Sequence, residues 1–257
     1  MTVVAVIVQA RMGSTRFPGK SMAPLMGSPM LEHVLRRARR IRCADVVVLA
    51  TTRLPADDVL AQVGTEQGAL VVRGSENDVL ARFDLAADRA EADVIVRITA
   101  DCPLLDPRLA DRMIRMLNRT NVEYASNISP PTYPDGYDVE VMTRACLHRL
   151  ASDSKLDYER EHVTARAREH PSDYLQVNLR SRVDYSSLRL TVDTAMDLAR
   201  VEEILAEAGT TDIGLGGVIA VLRRRPDLRL LPGGLVRDVA YLAARNAHLG
   251  VPGTKPS

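Results

Sequence analysis

The sequence predicts an α/β fold: an open, mixed, mostly parallel sheet with helices on both faces. Two observations predict it. Short apolar runs alternate with amphipathic stretches through the first half of the chain. Each apolar run then breaks into a polar loop, as strands of an open sheet do at the edge where ligands bind. The strand count falls short of the eight βα units of a closed barrel.

The elements follow in order. Residues 3–9 are a continuous apolar run, too short for an ordinary helix, and read as a strand buried on both faces. Met30, Leu31, Val34, Leu35, Ala38 and Ile41 recur at helical spacing and predict a helix over 30–41. Strands at 46–51, 69–73 and 93–98 alternate with helices near 56–67, 77–91 and 107–118; Asp106-Pro107 is a cap followed by a first-turn proline. Pro130, Pro131, Pro134 and Gly136 mark a loop, after which Tyr137–Met142 alternates like a half-buried strand. A polar helical stretch near 157–169 precedes strands at 174–179 and 187–192, and helices near 195–208 and 215–224 follow. The arginines at 36, 37, 39, 40 and 42 read as the wet face of the first helix. The expected organisation is one domain over 1–231, with a small insertion at about 124–179 for dimerisation or substrate. A partly flexible extension over 232–257 carries one helical patch near 236–246.

Composition narrows the function. A 257-residue chain buries enough surface to need no staples, and its formal charge of +1 argues against nucleic acid as the main partner. Cys43, Cys102 and Cys146 form neither a metal pattern nor a disulfide framework. No leader-like segment opens the chain and no apolar run is long enough to span a bilayer, so the expectation is a cytoplasmic protein without membrane or nucleic-acid partners.

Chemistry concentrates where strands end. The first strand runs into a loop with Gly13, Gly19, Ser14, Thr15 and the cations Arg11, Arg16 and Lys20. Glycines let backbone amides approach phosphate oxygens closely, and Arg and Lys offset their charge. The spacing is neither a Walker loop nor Gly-x-Gly-x-x-Gly. Asp101 closes the strand at 93–98, where a magnesium ligand facing phosphate would sit. Asp193 ends a second strand-like run; Thr194 and Asp197 form a capping pattern that explains Asp197 structurally. Asp138 and Glu140 share one face of the 137–142 strand.

Gln9-Ala-Arg-Met-Gly-Ser-Thr-Arg-Phe-Pro-Gly-Lys20 closely resembles the signature loop of bacterial cytidylyltransferases of the spore-coat polysaccharide type, relatives of the enzymes that make CMP-Kdo and CMP-sialic acid. Arg97-Ile-Thr-Ala-Asp-Cys-Pro-Leu104, Asp193-Thr194 and Asp135-Gly-Tyr-Asp-Val-Glu140 resemble further motifs of that group. Ala195-Met196 replaces the usual Pro-Glu, and Ala165 replaces a proline after Tyr158–Thr164. The resemblance covers Val3 to about Leu205. It implies a GT-A-like nucleotidyltransferase that passes CMP from CTP to a sugar, sugar acid or similar small acceptor, with release of pyrophosphate. In that reading Gln9, Ala10, Arg11, Gly13, Ser14, Arg16, Lys20, Arg73 and Thr99 bind nucleotide. Asp101 and Asp193 hold Mg2+, and Arg11 and Lys20 join them in catalysis. Asp138, Glu140 and His162 meet the acceptor, and the enzyme is a homodimer. Two alternatives stay open: a glycosyltransferase using a nucleotide sugar on the same fold, and a non-catalytic nucleotide-binding protein.

Overall fold

A seven-stranded sheet in the order β5-β4-β1-β6-β8-β7-β9 forms the centre of the molecule. The computed structural model describes residues 2–229 and 237–250. β1 (Val4–Gln9) enters the polar loop, and a small hairpin, β2 (Pro24–Leu25) and β3 (Ser28–Pro29), leads to α1 (Met30–Ala38). The alternation expected of the first half then appears as β4 (Val46–Thr52), α2 (Asp58–Glu66), β5 (Leu70–Gly74), α3 (Val79–Arg89), β6 (Val94–Thr99) and α4 (Pro107–Thr120). The second half supplies β7 (Tyr124–Ser126), β8 (Glu140–Thr143), α5 (Arg144–Asp153), α6 (Asp157–Glu161), α7 (Ala165–Glu169) and β9 (Gln176–Asn178). It closes with α8 (Ala195–Ala208), α9 (Leu215–Arg224) and α10 (Val239–His248).

β1 pairs in parallel with β4 and β6, β4 with β5, and β7 with β9; β8 runs antiparallel between β6 and β7. Side chains of β1 alternate between two cores. Val4, Val6 and Val8 face α1, α4, α8 and α9, whereas Ala5 and Ile7 face α3 and α5. Burial on both faces is why the strand reads as an unbroken apolar run.

Several expectations are corrected. Residues 124–179 do not stand apart as an inserted hairpin: β7, β8 and β9 extend the main sheet, which gives the isolated alternating strand partners on both sides. Residues 187–192 form no ladder strand. They run extended across the end of β6, where the Val192 N–H donates to the Asp101 carbonyl at 2.9 Å and the Leu190 N–H to the Asp135 carbonyl at 2.7 Å. Arg37 is buried rather than wet, because its guanidinium donates to the carbonyls of Leu105, Thr211 and Ile213 at 2.7–2.9 Å. Helix α5 went unread; Thr143 caps it, accepting from the Cys146 N–H at 3.1 Å. The expected boundary at 231/232 lies outside the described residues. No helix among the described residues is long and apolar enough to cross a membrane.

Gly136 joins the two irregular stretches. Its φ is +100°, and a Cβ there would lie 2.6 Å from the Leu190 carbonyl carbon. Any side chain would both strain the backbone and push the 187–192 stretch away. Gly136→Ala should therefore lower stability by about 2 kcal/mol or more in urea unfolding; a loss below about 0.5 kcal/mol, the range of neutral surface changes, would show that the two stretches do not depend on this approach.

Candidate active site

The carboxyl ends of β1 and β6 open into a cavity of about 350 Å³. Its cationic end is the loop after β1, which carries Arg11, Arg16 and Lys20. This loop folds on itself, with the Ser14 and Gly19 N–H groups donating to the Met12 carbonyl at 2.8 and 3.1 Å. Asp57 anchors it from the next strand's end, accepting from the Met12 N–H at 2.7 Å. Gly19 at φ +74° makes the turn that sends Lys20 inward.

Lys20 is the centre of the site. Its Nζ donates to Asp101 Oδ2 at 3.0 Å, Asp193 Oδ1 at 3.0 Å and the Val192 carbonyl at 3.1 Å. Burial works against the ammonium, but the two carboxylates raise its pKa. Burial likewise penalises the Asp101 carboxylate, yet Lys20 and the Thr99 hydroxyl hold it down at about 2. Arg16 pairs with Asp193 at 2.9 Å, and Arg189 approaches the other Asp193 oxygen at 2.6 Å. Asp197 performs the expected cap, accepting from the Thr194 N–H at 2.9 Å. It does more besides, accepting from the Asp193 N–H and from Arg200, both at 3.0 Å. Asp193 is thus held from both sides by a built scaffold.

Two carboxylates meeting on one cation suit a hard divalent ion that takes its other ligands from phosphate oxygens and water. The ammonium stands in for that charge. Among the described residues no group of three or more His, Cys, Asp or Glu is arranged as a metal set.

The far end of the cavity has a different character. Arg97, a cation on an otherwise apolar strand, donates to Gln9 Oε1 at 3.3 Å and pairs with Glu140, which also accepts from the Tyr124 hydroxyl. Burial pushes the Glu140 pKa up, but Arg97 and Arg168 prevail and lower it. His162 sits beside these arginines; burial and their charge depress its pKa to about 4, so it is neutral near pH 7. Asp135 and Asp138 face the same space, and burial pushes their carboxyls up to about 6 and about 7.

Gln9, Ala10, Arg11, Gly13, Ser14, Arg16, Lys20, Thr99, Asp101, Asp138, Glu140, His162 and Asp193 all line this one cavity. Arg73 does not, which corrects its expected place at the nucleotide. Its guanidinium donates to the carbonyls of Thr52 and Leu54 at 2.7 and 2.9 Å and pairs with Asp58, stitching β5 to the turn before α2. Val79 and Arg82 do line the cavity, from an α3 start capped by Asp78. Sequence reasoning passed over Arg97, Asp135, Arg168, Arg189 and the α10 segment. An arginine inside an apolar strand was a usable signal for Arg97; nothing local marked Arg168 or Tyr241.

Comparison with known proteins identifies the family. The family model described as Cytidylyltransferase matches residues 5–205. The chain is 34% identical over 235 residues to the spore coat polysaccharide biosynthesis protein SpsF of Bacillus subtilis, across 88% of this chain and 97% of that protein. A 3-deoxy-manno-octulosonate cytidylyltransferase of Trichlorobacter lovleyi is 37% identical over 114 residues, 44% of each chain. Among solved structures, a cytidylyltransferase from Leptospira borgpetersenii superposes with a TM-score of 0.87 at 31% identity, covering 92% of this chain and all of that one. With the matched region running from β1 through α8 and taking in the loop, Asp101 and Asp193, the chain belongs to the cytidylyltransferase family.

Proposed function

We propose that this chain transfers CMP from CTP to a hydroxyl of a sugar, sugar acid or similar small acceptor and releases pyrophosphate. The observation that carries the reading is the convergence of Lys20, Asp101 and Asp193 at the strand ends, under a loop that adds Arg11 and Arg16. Phosphoryl-type transfer asks the protein mainly for positioning and charge neutralisation, which is what this arrangement offers. Arg11, Arg16 and Lys20 offset charge on the triphosphate and the departing pyrophosphate. Asp101 and Asp193 would hold a divalent cation, magnesium in our reading, and such an ion supplies further neutralisation of the phosphate oxygens when bound. Gln9, Ala10, Gly13, Ser14 and Thr99 complete the nucleotide end.

Asp138 and His162 border the acceptor end in this reading. Asp138 accepts hydrogen bonds from acceptor hydroxyls, and neutral His162 contributes a polar but uncharged wall. Glu140 serves through Arg97, since both its oxygens are engaged. The same reading assigns the enzyme to the cytoplasm, where CTP is available. It takes residues 1–231 as the nucleotidyltransferase domain and expects a homodimer built on the 124–179 region. There β9 is an edge strand of the sheet and Leu175 is 64% exposed.

A pyrophosphate-release screen of the four nucleoside triphosphates against sugar acids and phosphorylated sugars tests the reading, with CTP expected to lead. In the active pair, Asp101→Asn should cut turnover on the order of a thousandfold while the protein stays folded; near-normal turnover would remove Asp101 from the site. Lys20→Met should weaken CTP binding far more than CMP binding, measured by calorimetry, because the ammonium serves the outer phosphates. Equal losses for both nucleotides would move Lys20 away from that role. Light scattering at micromolar concentration should give twice the 28.2 kDa chain mass, and a monomer throughout would refute the dimer.

A further inference from the structure

Arg237 belongs to the C-terminal segment, beyond the residues that the family model matches, yet it reaches the cavity wall. Its Nη2 donates to Asp138 Oδ1 at 2.5 Å and its Nη1 to the Tyr133 carbonyl at 2.9 Å. The guanidinium is therefore clamped at two points of the loop that presents Asp138. Arg237 is the more enclosed partner, with 15% of its side chain exposed against 31% for Asp138. The carboxylate keeps access to the cavity while the arginine stands behind it.

The segment is docked by contacts separate from this pair. Arg168 Nη1 donates to Asp238 Oδ2 at 2.9 Å, and its guanidinium carbon lies 4.2 Å from the Tyr241 ring centroid. Arg245 pairs with Glu169 at 2.8 Å, and the Tyr241 hydroxyl donates to the same carboxylate. Asp238 adopts φ +55°, a left-handed turn that Asp tolerates, and so starts α10 on the cavity rim. The segment that carries Arg237 is therefore held to α7 by contacts that do not involve Asp138.

We propose that Arg237 is a positioning residue for the acceptor: it orients Asp138 and favours its ionised form, so that this carboxylate accepts a hydrogen bond from a hydroxyl of a polyhydroxylated substrate. The inference rests on the CMP-transfer reading and adds a residue from the extension to its acceptor end. The groups facing Asp138 are Asp135 from its own loop, Arg237 and Asp238 from the C-terminal segment, and the Cys102 thiol from the turn after β6. Burial pushes the carboxyl up, the two aspartates push the same way, and Arg237 opposes them, leaving it at about 7. Without Arg237 the balance tips, and Asp138 takes up a proton across the neutral range. A protonated carboxyl no longer offers two accepting oxygens, and the acceptor loses its partner.

The test uses the full chain as Arg237→Gln and Arg237→Lys, with Asp138→Asn to assign the signal in 13C NMR of aspartate-labelled protein. In Arg237→Gln the Asp138 carboxyl should titrate at least about one pH unit higher, a tenfold gain in proton affinity, and Arg237→Lys should restore most of the shift. Calorimetry should find CTP affinity unchanged within about twofold, while KM for 3-deoxy-manno-octulosonate, or the best acceptor of the screen, rises about tenfold. The acidic limb of its kcat/KM profile should move up with the carboxyl. An unmoved Asp138 titration, an unmoved acidic limb, or a fall in CTP affinity matching that for the acceptor would each overturn the role of Arg237. Absence of pyrophosphate release with every acceptor would instead overturn the CMP-transfer reading, and the NMR titration would still report whether Arg237 controls Asp138.

Discussion

One ammonium between two carboxylates ties the molecule together. Asp101 follows β6, Asp193 precedes α8, and Lys20 follows β1, so the cluster joins three segments far apart in sequence. Two carboxylates this close repel each other strongly in a partly dry setting, and their shared position depends on a cation. Much of the surrounding structure serves that meeting. Asp57 holds the loop that aims Lys20, the Val192–Asp101 backbone bond brings the two acidic segments side by side, and Asp197 fixes the Asp193 backbone. Removing the lysine would leave a like-charge pair with only Arg16 and Arg189 to compensate it, from one side.

The opposite end of the cavity is organised by a second buried pair, Arg97 with Glu140. Here the parallel and antiparallel parts of the sheet meet, because the two residues are register partners on β6 and β8. Tyr124 on β7 adds its hydroxyl to the same carboxylate, so three neighbouring strands share one polar knot in an otherwise apolar layer. Such a knot is costly to leave half made. It therefore links β6, β8 and β7 through one carboxylate in their observed order.

Most of the first half was legible because its strands are buried on both faces and its helices carry wide apolar stripes. α8 and α9 appear at the bounds their patterns predict, 195–208 and 215–224. That the loop after β1, Asp101 and Asp193 share one cavity was legible as charge placed where apolar runs end. What escaped depends on long-range pairing. The 187–192 run alternates like a strand but finds carbonyls and amides of two loops instead of a ladder. Arg37 looks like a surface arginine until Leu105, Thr211 and Ile213 bring their carbonyls to it. Arg73 was expected at the nucleotide and instead donates to two backbone carbonyls. In each case the residue type announced a need for partners, and only the fold decided which partners it met.

The single reversed strand, β8, divides the labour of the site along the chain. Parallel strands deliver their following loops to the cavity, as β1 and β6 do with residues 10–20 and 100–106. β8 runs the other way, so the loop that reaches the same edge is the one before it, residues 127–139. That loop hangs between β7 and β8, two strands whose pairing does not involve the β1–β4 ladder. It is pinned at Gly136, whose close approach to Leu190 ties it to the stretch that carries Val192 and Asp193 to Lys20. The two halves of the cavity thus reach one edge by opposite strand directions, and the backbone bonds between Asp135 and residues 188–190 are where they meet.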